Sequence, residues 1–310
     1  MPDAPSISFN PNLDALLRDV RTRQTLVRAL LDDDDVRALD FVGSARISQS
    51  KDSVRERIVE KLAFDRDVYR HSNSAEASFA YLRERIESLG VFVVLLGNLG
   101  SHHSNIPVEM FRGFALADPI APFIVINDQD AKAAWAFTAL HELVHLWLGL
   151  TGVSGARAET QVEQFCNKIA SEILLPEREL DSLSAPARGS FEALLDSVSM
   201  FAEQRKISRA MVAFRLFQAG TISQSQWSRF DGRFRQDWLD VRERRRTRES
   251  EGGPSFFVVR RHRLGKQLLS LVSRALSDGD ISPSKAGRIL GVRPRKLAPL
   301  LAGVDPRGGV

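Results

Sequence analysis

A single cysteine, Cys166, excludes an internal disulfide and any cysteine-rich metal knuckle. No stretch reaches the ~18–20 uninterrupted apolar residues that cross a bilayer. The first residues, MPDAPSISFNPNLDALL, lack the basic-then-apolar layout of a secretion signal. Neither a fixed-period repeat nor a low-complexity tract occurs in the 310 residues. With 43% hydrophobic and 26% charged residues, the composition is near the globular average, which rules out collagen-like, disordered and disulfide-scaffold classes. These absences leave the expectation of a soluble, cytoplasmic protein with a sizeable core and about two domains' worth of chain.

The net charge of +4 conceals a split. Residues 201–310 hold 23 Lys/Arg against 10 Asp/Glu, whereas residues 1–200 hold 20 against 29. An acidic front and a basic back suggest separate modules, or a basic surface for an acidic partner such as nucleic acid. Solvated arginine-rich helix faces are the plainer explanation.

Hydrophobic spacing divides the chain further. Residues 12–31 read as an amphipathic helix, followed by Asp32–Asp35 as a solvated loop. Two more helices are expected over 52–64 and 75–89, then a buried strand over 91–97 (VFVVLLG) and a loop over 98–110. Residues 111–117 (FRGFALA) and 122–127 (PFIVIN) flank an Asp118-Pro119 turn and read as adjacent strands, a hairpin. A long apolar stretch, 133–156, precedes a helix over about 158–175 that stops at Pro176. Residues 190–218 and 223–240 read as helical, 242–254 as a linker, 256–261 (FFVVRR) as a strand, and 264–277 and 283–301 as helices. The class is α+β, helix-dominant. The segments are an N-terminal helical part (1–50), a hydrolytic domain (51–185), a helical extension with helix-turn-helix rhythm (186–241) and a basic C-terminal module (255–310).

The chemistry lies in AWAFTALHELVHLWLGL. His141 and His145 are four residues apart and so share one helix face. With Glu142 they form H-E-x-x-H, in which two imidazoles bind zinc and the glutamate serves as general base. Between Lys132 and Arg157 the only Asp, Glu, Lys or Arg is Glu142. A lone carboxylate in an apolar helix is costly unless it is paired or near a metal, which argues against two structural histidines on a solvated face. A third protein ligand is required. His102 and His103 upstream are candidates, as are Glu159, Glu163 and Glu172 downstream. Glu163 is favoured, because Asn167 and Ala170 share its helical face, with Glu159 the runner-up.

The segments FRGFAL (111–116), APFIVIN (121–127), FTALHELVHLWLG (137–149) and VEQFCNKIASEILLP (162–176) resemble the ImmA/IrrE family of zinc metallopeptidases. In that family's second helix Glu163, Asn167, Ala170 and Pro176 fall in register, while Cys166 replaces a small residue and Ile169 an aromatic one. The resemblance runs more loosely from about residue 41 to about residue 230. It implies a minimal gluzincin-like, zincin-like domain, with a short sheet and the H-E-x-x-H helix. It implies ligands His141, His145 and Glu163, base Glu142, and zinc as cofactor with manganese the alternative. The implied substrate is an Xre-type helix-turn-helix repressor, whose cleavage relieves repression of phage, mobile-element or stress genes. The family's frequent N-terminal helix-turn-helix has no counterpart in residues 1–50.

Other residues complete the expectation. Asn167 reads as an orienting partner for a ligand, and His103, Phe111 and Arg112 as candidate substrate contacts. The strand over 111–117 offers a free edge for β-augmentation by an extended peptide. Cys166, one turn from Glu163, reads as a small buried hydrophobe rather than an inhibitory thiol. Residues 281–301 have the rhythm of a helix-turn-helix: Ser282 or Ser284 as cap, Gly291 as break, and Arg293, Arg295 and Lys296 opening the second helix. A helical hairpin docked on the peptidase or on its protein substrate is preferred for them over DNA contact. The competing reading of the whole chain is a DNA- or regulator-binding protein whose metal site is structural or vestigial.

Overall fold

A computed structural model describes residues 10–33, 37–154, 160–184, 187, 189–248 and 255–305. Helix α1 (Pro11–Asp33) starts where the Asn10 side chain accepts from the amides of Asn12 and Leu13, and it buries Leu16, Val20, Val27 and Leu30 along one stripe. Helix α2 (Lys51–Leu62) buries Val54, Ile58 and Leu62, one per turn. A short helix that spacing alone does not reveal, α3 (Arg66–Arg70), is capped by Asp65, and α4 (Ala75–Glu87) by Ser74.

Strands β1 (Phe92–Leu95), β2 (Gly113–Leu116) and β3 (Phe123–Ile126) are buried on both faces. The 17-residue helix α5 (Lys132–Leu148) ends at Gly149 and leads into β4 (Gly152–Ser154). Helix α6 (Gln161–Leu174) follows, capped by Thr160. The strand order is β1-β3-β2-β4, with β1 and β3 parallel and the other two pairs antiparallel. The expected hairpin of β2 and β3 is therefore present. The expected free edge of β2 is not: β4 occupies it, pairing Phe114 with Val153, because the chain leaving α5 turns back onto the sheet.

Next come α7 (Phe191–Arg205), α8 (Arg209–Gln218) and α9 (Gln224–Arg248). The helical reading of 190–218 is interrupted at Lys206, which adopts φ 57°, and Ser208 caps the new helix. The 256–261 strand reading is corrected: α10 (Phe256–Leu264) is a helix capped by Ser255. Its apolar run is too short to specify a strand. The buried positions, Arg260 and Leu264, are one helical turn apart and anchor it. Helices α11 (Lys266–Asp278) and α12 (Pro283–Leu290) follow, then a 3-10 turn over Pro294–Lys296 and α13 (Leu297–Leu301). Ser282 caps α12 and Gly291, at φ 60°, ends it, so residues 283–301 are two short helices instead of one.

Strand pleating sends alternate side chains to opposite faces and so divides the core. Val93, Leu95, Ile124 and Ile126 face α2, α4, α5, α6, α7 and α8. Phe92, Val94, Phe123 and Val125 face α1, α11, α12 and α13. The N-terminal and C-terminal segments thus jointly cover the sheet face remote from α5. Buried Arg83 ties the C-terminal part down, donating to the carbonyls of His262 (2.5 Å) and Val93, while Glu87 accepts from the amide of Lys266 (3.2 Å). No helix among the described residues is long and apolar enough to cross a membrane.

Candidate metal centre

Helix α5 is apolar nearly all round, so it can lie between the sheet and α6 without a solvated face. That burial carries His141, Glu142 and His145 inside, with Glu142 wholly buried. Gly113 of β2 makes the approach of α5 to the sheet feasible. A Cβ there would stand 2.6 Å from Thr138 Cγ2 and 3.0 Å from Glu142 Oε1. Helix α6 crosses on the other side. Its capping Thr160 accepts from the Glu163 amide at 3.3 Å, which places the Glu163 carboxylate in the first turn, where the helix dipole favours a negative charge.

The two helices bring three donor groups together. His141 Nε2 lies 3.0 Å from Glu163 Oε2, His145 Nε2 lies 3.3 Å from Glu163 Oε1, and the two Nε2 atoms are 3.1 Å apart. All three residues offer a ligand atom within 4.8 Å of the others. Bonds of 2.0–2.1 Å to a tetrahedral ion imply ligand–ligand separations of about 3.3 Å, so the spacing fits a small divalent cation. Two imidazole nitrogens and one carboxylate oxygen are also the donor set of catalytic zinc sites, which keep a fourth position open.

The electrostatics agree with that use. Burial alone would raise the Glu163 pKa, but hydrogen bonds from His141 and His145 outweigh it and lower the group to about 2. Burial lowers the His141 pKa against the opposing pull of Glu163, keeping the ring neutral and its lone pair available as a ligand. Asn167, one turn beyond Glu163 on α6, lines the same cavity as His141. Cys166 is fully buried. Burial, then the nearby carboxylates of Glu163 and Glu142, push its thiol far up, so it stays protonated and packs as a hydrophobe.

His141, Glu142 and Glu163 open onto a cavity of about 450 Å³. Residues 90–217 match the model of the IrrE N-terminal-like domain of the peptidase M78 family. This segment is similar to the IrrE N-terminal-like domain. No curated protein and no solved structure shows significant similarity to the chain. The domain assignment agrees with the resemblance to the ImmA/IrrE family, and the helix-dominant chain with its small sheet is the α+β class expected. The chain therefore carries a domain of metallopeptidase kind, and the donor set above is its candidate metal site.

The remaining expectations divide. Arg112 and Asn167 line the cavity of the peptidase domain, and Arg112 pairs with Asp130 at 2.7 Å. His103 is exposed in a 3-10 turn (His102–Ser104) and does not line the cavity. Phe111 is corrected to a core residue. It is fully buried in the cluster on the far face of the sheet and packs against Phe114, with ring centroids 5.9 Å apart. Glu172 pairs with buried Arg215 and with Lys168 (3.1 Å), so its charge is committed away from the histidines. Glu159 and the His102 side chain lie outside the described residues, as do Asp34 and Asp35 of the acidic loop and residues 249–254 of the linker. Sequence reasoning missed Gly113, and it missed the wall opposite the histidines. Met211 and Phe214 of α8 and Trp227, Phe230 and Phe234 of α9 supply that wall, and nothing in their local spacing announces a shared cavity.

Proposed function

We propose that the protein is a zinc-dependent endopeptidase of the cytoplasm that cuts an Xre-type helix-turn-helix repressor and so relieves repression of phage, mobile-element or stress genes. The observation that carries the hydrolytic part is the convergence of His141, His145 and Glu163, with His141, Glu163 and buried Glu142 lining one open cavity. The repressor is supported by the family resemblance. Zinc is favoured by the two-imidazole, one-carboxylate donor set; manganese is the alternative occupant, since affinity order does not decide occupancy in a cell.

A metal held by His141, His145 and Glu163 would act as a Lewis acid toward the scissile carbonyl and would acidify water. Glu142 takes the proton of the attacking water on a carboxylate oxygen and hands it to the leaving amine nitrogen, so one residue serves as base and then acid. The apolar flanks of α5 exclude bulk water from that carboxylate and keep the proton transfer local. Asn167, which lines the cavity with His141, helps orient that ligand. The experiment is metal analysis of the purified protein together with cleavage of the repressor encoded beside it. Protein without zinc or manganese, or repressor left intact by the loaded enzyme, would refute the reading.

A second reading concerns the basic C-terminal part. Arg288, Arg293 and Arg295 are exposed around the Gly291 turn, and none has a carboxylate within 4 Å among the described residues. We infer that they contact DNA, which would bring the peptidase to a DNA-bound repressor. Binding to duplex DNA that weakens steeply with salt, and is lost in the triple alanine variant at these arginines, is expected. Absence of any affinity at low salt would remove this reading.

A further inference from the structure

Resting on the peptidase reading, we propose that α8 and α9 form a specificity pocket that selects a bulky apolar side chain beside the scissile bond. The cavity that holds His141, Glu142 and Glu163 on one side has Met211, Phe214, Trp227, Phe230 and Phe234 on the other. Phe214 and Trp227 are only half-buried, so apolar ring surface not used by the core faces the reacting groups.

The rings are braced in place. Trp227 stacks on Phe217 with centroids 5.5 Å apart and tilts against Phe214 at 6.0 Å. Phe230 stacks on Phe234 at 5.4 Å, and the Arg209 guanidinium sits 4.6 Å from the centre of the Phe234 ring. A wall already ordered loses little entropy when a ligand binds. The volume, about 450 Å³, lies in the range of small-ligand pockets. It admits one large side chain and the adjoining peptide group, and excludes a folded domain.

A substrate must therefore enter as an extended segment. An aromatic or long aliphatic side chain gains by burial against these rings. A carboxylate side chain loses hydration there and meets Asp231 in the same lining, while Arg112 is paired with Asp130. Arg215, the deepest cation of this wall, is already taken by Glu172. Helix α9 begins at Gln224, beyond residue 217 where the family match ends. The selecting wall is thus built in part by this chain's own extension.

The test uses full-length protein. The zinc-loaded form is given a proteome-derived peptide mixture, and cut sites are read by mass spectrometry. One position flanking the cut is expected to be enriched in Phe, Leu and Met, with Trp227→Ala or Phe214→Ala lowering that enrichment at least tenfold. In parallel, the Glu142→Gln protein binds labelled peptides, read by fluorescence anisotropy. A peptide with Phe at that position should bind at least tenfold tighter than its Asp counterpart, and Trp227→Ala should abolish the difference. Circular dichroism checks that the variants remain folded. Cleavage without side-chain preference, or a preference unchanged in both variants, overturns the pocket. Absence of cleavage with the binding preference intact supports the pocket and overturns the peptidase reading instead.

Discussion

Gly113 of β2 and Glu142 of α5 are in contact because one of them has no side chain. A Cβ on Gly113 would stand 3.0 Å from Glu142 Oε1 and 2.6 Å from Thr138 Cγ2. The Glu142 carboxylate is thus seated by the absence of a methyl group on the neighbouring strand. Gly113→Ala should push α5 off the sheet, at a cost of about 1–3 kcal/mol as in other overpacked cores. Peptidase activity should fall well before folding fails. Thermal melts and cleavage assays on the same preparation check this; activity equal to wild type would show that the contact does not position Glu142.

Under the proposed mechanism Glu142 and Glu163 have separate roles although both are carboxylates at one site. Glu142→Gln should keep the metal, since Glu142 is not in the converging donor set, while lowering the cleavage rate by at least about a hundredfold. Glu163→Gln should weaken metal retention, measured by chelator competition, because it removes the anionic member of the donor set found among the described residues. Equal metal loss in both variants would contradict this assignment.

The buried pair Arg215–Glu172 links α8 to α6. Burial raises the Glu172 pKa, but Arg215 and Lys168 outweigh it and hold the group below its ordinary 4.5. A carboxylate lowered in the folded state stabilises the fold above its unfolded pKa, and that contribution is lost as pH falls through the lower folded value. Stability should therefore decline as pH drops past 4.5, and Glu172→Gln should flatten the decline. Arg215→Ala, which leaves Glu172 still paired with Lys168, should cost about 1–3 kcal/mol at neutral pH. Urea melts between pH 7 and pH 3 supply both readings.

Gly265 joins α10 to α11 at φ 81°, and a Cβ there would overlap Glu87 Oε1 and Arg83 Nη2. Those two groups grip the backbone of residues 262–267. Gly265→Ala should loosen the C-terminal segment from the sheet, costing about 2 kcal/mol or more. Hydrogen exchange should speed up in α11 and α12 while α5 and α6 stay protected. Uniform exchange across the chain would instead mean that the segment unfolds with the rest.

What the residues announced by themselves was local. His141, Glu142 and His145 are legible because four residues make about one helical turn, and because a single carboxylate in an apolar run demands a reason. Glu163 became legible by its helical neighbours and the family resemblance. Phe111 was misread because it adjoins Arg112 in the chain, whereas its side chain packs on the far face of the sheet.

Sequence by itself determined the α+β class, the β2–β3 hairpin and the H-E-x-x-H helix, since each depends on short-range periodicity and turn chemistry. Tertiary structure alone decided that β4 closes the edge of β2. It also decided that α1 and the basic C-terminal helices cover one face of the sheet, and that aromatic rings from α8 and α9 share a cavity with His141. Such contacts join residues tens of positions apart, and only the burial of complementary apolar faces selects them. The helix α10, read from its residues as a strand, shows the same physics: a four-residue apolar run takes its conformation from what it packs against.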